Sequence, residues 1–175
     1  WNKMSNNYDR MIFPDKSYDF IAPKEKFIDS MKTYFPSDCK AIDQYIKILD
    51  DIKKTTFKYF STKALSGIPD FLFYRYLTRN FFKYSDKTTY QVLSKITSNK
   101  ELIGVLTGQW GDYGLTPKQS SFAIHSMIAN HYLYGANYPI GGSGMISGNI
   151  IPVIKQVSCS FLDFMVKKKG FLLRL

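Results

Sequence analysis

The chain has 175 residues, 45% of them hydrophobic and 17% aromatic, including thirteen Tyr and fourteen Phe, and its formal net charge is +10. That length and apolar content suffice for one domain with a proper core and exclude general disorder. No apolar run approaches the roughly eighteen residues that a membrane-spanning helix needs, and the two histidines are too few to assemble a zinc cluster readily.

The lysines are spread over helix faces, with a block only at Lys167-Lys168-Lys169. Solvation accounts for such charge first and an anionic membrane surface second. Nucleic acid comes last, because no recognised binding motif accompanies the charge, and it is not expected as a partner. The aromatic content suits a protein that surrounds a large apolar ligand or lies on a greasy surface, and this predicts a peripheral membrane location. Cys39 and Cys159 lie far apart in sequence and point to a reducing, intracellular compartment. The chain begins at Trp1 and stops at Leu175 within a strand-like FLLRL, so a piece of a longer protein is expected.

In chain order, Tyr8 to Phe13 and Tyr18 to Ile21 flank the turn formers Pro14 to Ser17 and predict a β-hairpin. Pro23 opens a helix with Phe27, Ile28, Met31 and Tyr34 on one face, ended by Phe35-Pro36. Ser37 is placed to cap the longest helix, Asp38 to about Phe60. Its apolar positions Ala41, Ile42, Tyr45, Ile46, Leu49, Ile52, Thr56 and Phe57 recur every three or four residues. Ser66 to Pro69 is a break, followed by an aromatic-rich helix from Asp70 to about Phe82. Ser85 is placed to cap a helix reaching Ile96, and Ser98-Asn99 opens another that Gly108 ends.

From Gly108 to Ile151 the chain holds most of its glycines, both histidines and Trp110. Thr116, Pro117 and Gln119 fit a capping box, so a helix is predicted from Pro117 to Tyr134, closed by Gly135 in the left-handed conformation. Ala136 to Ile140 reads as a short extended piece before the turn Gly141-Gly142-Ser143-Gly144. Ser143 is placed to cap a second helix, kinked at Pro152 and continuing through Phe161, Leu162 and Met165 to a lysine-rich end at Gly170. Phe171 to Leu175 then reads as a strand.

Two phosphate-binding motifs fail on their own residues. A dinucleotide fingerprint starting at Gly142-Ser143-Gly144 needs glycine where Ser147 stands, and a P-loop needs Lys and Ser or Thr where Gly148 is followed by Asn149. What remains is a helix start whose amides suit an anion or carbonyl oxygen, beside glycines that let a flat ring approach. His125 and His131 are six apart on one helix, about 240° around its axis, so they cannot share one metal and no metal site is expected. Each reads as a hydrogen-bonded buried histidine ahead of an acid or base, and Asp112 as a turn residue. No catalytic residue is identified.

The runs W-G-D-Y-G-L-x-P (110–117), S-F-A-I-H (121–125), N-H-Y-L-x-G (130–135), Y-P-x-G-G (138–142) and I-P-V-I (151–154) resemble the flavoprotein family of carotenoid isomerase, phytoene desaturase and retinol saturase. The opening, with Tyr8-Asp9-Arg10, Phe13-Pro14-Asp15 and Tyr18-Asp19-Phe20, is similar to the same family. The resemblance implies an FAD-dependent oxidoreductase acting on isoprenoid polyenes, with NAD(P)H as a candidate reductant. It also implies that 1–175 is a mostly helical α+β substrate-domain segment, with a hairpin (1–24), a helical lid (25–108) and a flavin- and substrate-facing part (109–175). The Rossmann part that holds FAD would lie elsewhere, as a missing region or another subunit. On this resemblance Tyr138, Pro139, Gly141, Gly142 and Ser143 face the cofactor, while Trp110, Asp112, Tyr113, His125 and His131 wall the substrate tunnel. The alternative is a non-catalytic structural or lipid-binding subunit of the same fold.

Overall fold

The computed structural model describes residues 1–64, 79 and 81–157. They fall into two compact units, Ser5–Ala136 and a smaller one formed by Trp1–Met4 with the chain from Asn137 onward. The fold class is α+β, mostly helical with two small antiparallel sheets, as the sequence predicts. The predicted break at 66–69, most of the helix at 70–82, and everything from Ser158 on lie outside the described residues.

The chain opens with β1 (Asn2–Lys3), part of the smaller unit. The larger unit starts with the predicted hairpin, β2 (Asn7–Ile12) paired with β3 (Ser17–Ile21). Its turn is closed by the Phe13 amide, which donates to the Lys16 carbonyl at 2.8 Å. Alternation then decides the faces: Tyr18 and Phe20 are buried, while Asp19 between them pairs with Arg10 across the hairpin. Helix α1 (Lys24–Tyr34) buries Phe27 and Met31, and Phe27 meets Phe20 edge to face at 5.3 Å. Phe35 leaves the helical region (φ −128°, ψ 67°), as a residue before proline must, and this ends α1.

Helix α2 (Cys39–Ala64) is the spine of the unit. Ile42, Tyr45, Ile46, Leu49 and Ile52 are buried on one face, where each large aliphatic side chain contributes roughly 1.5–3 kcal/mol. Two expectations for this helix are corrected. Ser37 lies inside a 3-10 turn, Pro36–Asp38, so α2 begins after it; Asp38 instead accepts from Thr97 Oγ1 (2.6 Å) and Asn99 Nδ2 (2.8 Å), tying the start of α2 to a distant segment. Phe57, expected on the core face, is 77% exposed.

The next helix also starts later than predicted. Ser85 still belongs to the preceding helical turn, and α3 (Thr89–Ile96) is capped by Thr88, whose hydroxyl accepts from the Gln91 amide while Gln91 Oε1 accepts from the Thr88 amide. Asn99 caps α4 (Lys100–Leu106) as expected, accepting from the amides of Glu101 and Leu102. Leu93, Leu102, Val105 and Leu106 close the core against α2.

Helix α5 (Phe122–Tyr132) begins five residues after the predicted Pro117. The backbone between them serves α3 instead: the Tyr90 amide donates to the Pro117 carbonyl (2.8 Å) and the Thr89 amide to the Ser120 carbonyl (2.9 Å). Ser121 becomes the cap, accepting from the Ala123 amide. The helix also ends at Tyr132, two residues before the predicted Tyr134, while Gly135 takes the expected left-handed conformation (φ +80°) and donates to the Tyr132 carbonyl.

In the smaller unit only Asn137–Tyr138 of the predicted extended piece is a strand, β4, paired with β1. Helix α6 (Gly144–Val157) starts directly after Ser143 and contains Pro152.

Candidate functional site

The larger unit carries a polar cluster inside its apolar core. Ser121 fixes the start of α5, donating to the Ser85 carbonyl at 2.8 Å while the Phe122 amide donates to the Lys87 carbonyl at 2.9 Å. One turn later His125 points inward, 1% exposed. Its Nε2 lies 3.0 Å from Tyr45 Oη and its Nδ1 3.2 Å from Tyr113 Oη, so both ring nitrogens have tyrosine partners. A neutral imidazole has one donor and one acceptor, so one hydroxyl accepts and the other donates. Burial lowers the His125 pKa to about 4, leaving the ring uncharged at neutral pH, and burial raises both tyrosines. Beside this cluster, the Thr89 and Ser120 hydroxyls bond each other at 2.8 Å.

The buried, hydrogen-bonded reading therefore holds for His125. His131 is different: it is exposed and packs edge-on against Tyr132. It joins Ile52, Lys53 and Thr56 of α2 and Met127, Asn130 and Tyr134 in lining an open cavity of about 360 Å³. Asn130 at its floor donates from Nδ2 to the Leu49 carbonyl at 2.8 Å. Trp110 and Asp112 sit in the 3-10 turn Gly108–Asp112, both exposed, with Tyr113 directly after. Asp112 acts on Tyr132, whose phenol is raised first by burial and then by that carboxylate's charge. Tyr8 stacks on Tyr132 at 5.6 Å. The structure thus joins Tyr113 to His125 and puts Trp110 and Asp112 on the same short turn, while His131 belongs to the α2–α5 groove. Lys53, Thr56 and Tyr134 in that groove were not legible in sequence, because no spacing rule links two helices so far apart.

The smaller unit contains the other five predicted residues. Tyr138 pairs with Asn2 in the sheet, and Pro139 accepts from the Gly142 amide at 3.1 Å, which closes the turn. Gly141 and Gly142 have φ +87° and +92°, a backbone that favours glycine. A Cβ on Gly141 would lie 3.0 Å from Met145 Cγ, whereas one on Gly142 would meet open space. The amides of Met145 and Ile146 donate to the Gly142 and Ser143 carbonyls, so the anion site expected at this helix start has two fewer donors. Around the turn, Trp1, Pro139, Ile140, Met145, Ile146 and Ile150 line a cavity of about 310 Å³, and Ile140 is 63% exposed. The described residues of this unit carry Lys3 and Lys155 and no carboxylate side chain.

Among the described residues no three His, Cys, Asp or Glu gather to hold a metal, and no helix is long and apolar enough to cross a membrane. Two of the open cavities have largely apolar walls, one of them beside a double-glycine turn, while a third, of about 510 Å³, is lined by Asp15, Lys16, Lys100 and Glu101 with Phe13 and Pro14. The first two suit greasy ligands more than charged ones. The chain is 31% identical over 170 residues to all-trans-retinol 13,14-reductase of Danio rerio and 32% identical over 170 residues to that of Macaca fascicularis. Each match covers 93% of this chain and 28% of the relative. It is also 30% identical over 151 residues, 81% of this chain and 24% of the relative, to a Danio rerio protein named inactive all-trans-retinol 13,14-reductase. The chain thus spans about 28% of the length of the first two. No family model and no solved structure matches it. Of the three enzymes in the resemblance, these relatives bear the name of the retinol-acting one.

Proposed function

We propose that this chain is the substrate-sheltering part of an FAD-dependent oxidoreductase that acts on a retinoid-class polyene. The observation that carries the reading is the similarity to retinol 13,14-reductases along 93% of the chain. The apolar cavities and the glycine turn are consistent with it.

The residues present suit one part of FAD and lack the site for another. Gly141 and Gly142 form a left-handed turn with open space beside Gly142, which fits the close approach of a flat ring. The pyrophosphate does not find its fingerprint in this sequence, so its site belongs to another part of the protein. When bound, the flavin supplies hydride or electron transfer. The chain's own contribution is placement. Tyr138, Pro139, Gly141, Gly142 and Ser143 give the flat, small-residue surface on the cofactor side. Trp110, Asp112 and Tyr113 wall the substrate, His125 holds the Tyr113 hydroxyl from behind, and His131 stands apart in the α2–α5 groove. Orienting one double bond and excluding water are the services such walls provide. The reading includes a reducing intracellular compartment and a membrane surface from which the polyene is drawn, with NAD(P)H as a candidate source of reducing equivalents.

A second reading has its own support, since one relative is named inactive. On it the chain keeps the fold as a structural or lipid-binding piece. The absorption spectrum and intact mass of the native protein carrying this sequence separate the two. Flavin bands with a chain several times longer support the oxidoreductase; a chain of this length with no flavin band supports the alternative.

A further inference from the structure

Helix α2 changes character after Ile52. Upstream, carboxylates accompany its lysines, and two of them, Asp50 and Asp43, pair with Lys24 and Lys32 of α1. From Ile52 to Ser85 the sequence has seven Lys or Arg, ten aromatic residues and a single carboxylate, Asp70. Most of the net charge of +10 therefore falls in this one stretch.

The described part of it has two faces. Ile52 is buried and Tyr59 stacks on Phe81 at 4.2 Å, which turns that side of α2 towards the protein. At roughly 100° per residue, Phe60, Phe57, Lys54 and Lys58 fall within about 160° on the other side. All four are exposed, Phe57 at 77% and Phe60 at 50%. Lys54 and Lys58 enter none of the ion pairs among the described residues. Lys53, at the edge of this face, is engaged by Tyr134.

Two neighbouring phenyl rings held in water call for an apolar partner, and the lysines beside them call for negative charge in the same partner. A bilayer with anionic headgroups meets both demands in one surface. The rings enter the boundary between headgroups and acyl chains, while the lysines stay at the level of the phosphates. Nucleic acid supplies the charge without the apolar layer.

We infer that this face of α2, with Phe57 and Phe60 inserted and Lys54 and Lys58 beside them, docks on an anionic lipid bilayer. The inference rests on the membrane surface in the reading above and names the residues that meet it. Vesicle binding is measured without flavin or substrate, so this assignment and the oxidoreductase reading fail separately.

Co-sedimentation of the native protein carrying this sequence tests it, using vesicles of phosphatidylcholine and vesicles of phosphatidylcholine mixed equally with phosphatidylserine. The protein binds the mixed vesicles more tightly, and salt releases it. Phe57→Ser with Phe60→Ser weakens binding about tenfold or more, while Phe57→Leu, which keeps an apolar side chain, retains it. Lys54→Gln with Lys58→Gln weakens binding about tenfold on the mixed vesicles and leaves the phosphatidylcholine vesicles unchanged. Ile12→Ser, at an 80% exposed position on the hairpin, is the control and binds as wild type does. Urea midpoints matching wild type show that each variant folds. Equal binding to both vesicle types, unchanged binding in either double variant, or an equal loss in Ile12→Ser would each overturn the assignment. So would tighter binding to a single-stranded RNA oligomer than to the mixed vesicles, or a change of oligomeric state in the double Phe variant.

Discussion

Acidification removes stability from this protein through His125. The folded state holds the imidazole down to a pKa of about 4 from an ordinary 6.5, because the ring is buried against Tyr45, Tyr113 and Phe122. At 1.36 kcal/mol per pKa unit, that shift corresponds to about 3 kcal/mol. The sign follows from proton binding. Between the two pKa values the unfolded chain takes up a proton that the folded one refuses, so stability is complete above pH 6.5 and falls progressively towards pH 4. Urea unfolding, followed by far-ultraviolet circular dichroism in steps from about pH 7.5 to about pH 5, reads the upper part of this loss. His125→Gln is the control, since an amide can donate and accept but takes up no proton in this range. Asp19 and Glu101, whose pKa values are lowered by hydrogen bonds from Arg10 and from Tyr18, contribute stability that is lost only at lower pH. The difference between the two proteins therefore isolates the histidine. Parallel pH curves for wild type and His125→Gln would show that the ring is not held neutral by this core.

Three further outcomes follow from local geometry. Thr88→Ala removes half of the capping box on α3 and costs about 1 kcal/mol, measured by urea unfolding; no change would mean that α3 is held by packing alone. Gly142→Ala meets only backbone strain, about 1–2 kcal/mol, whereas Gly141→Ala adds a 3.0 Å contact with Met145 and melts lower; the reverse order would contradict the turn geometry. The 175-residue chain by itself binds FAD poorly for want of the pyrophosphate fingerprint, and a tight stoichiometric complex in a fluorescence titration would refute that.

The parts of this fold that could be read in sequence are those whose determinants are local. Pro14 to Ser17 mark the hairpin turn, Asn99 caps α4, and Gly135, Gly141 and Gly142 take the left-handed backbone that their neighbours require. The misplaced starts have two kinds of cause, one long-range and one local. Thr116, Pro117 and Gln119 satisfy the local grammar of a helix start, yet the Pro117 and Ser120 carbonyls are taken by the amides of Tyr90 and Thr89, some thirty residues upstream, and α5 waits for Ser121. Ser85 loses its expected role because Thr88 and Gln91 complete a reciprocal cap three residues later. The site was legible only in composition. That His125 would be buried followed from its apolar helix, but its partner Tyr45 is eighty residues away and no spacing rule names it. The same holds for Thr56 opposite Met127, which meet only because α2 and α5 pack together.

The proposed function is that this chain is part of an FAD-dependent oxidoreductase acting on a retinoid-class polyene, with reduction the direction to test first. The most direct measurement purifies the native protein with its cofactor, supplies an electron donor and all-trans-retinol without oxygen, and follows the polyene by absorption and mass. The account predicts a product with one double bond fewer, formed only while the flavin is present and lost in Gly142→Val. A flavin-loaded, folded protein that leaves retinol and other polyenes unchanged under these conditions would contradict it.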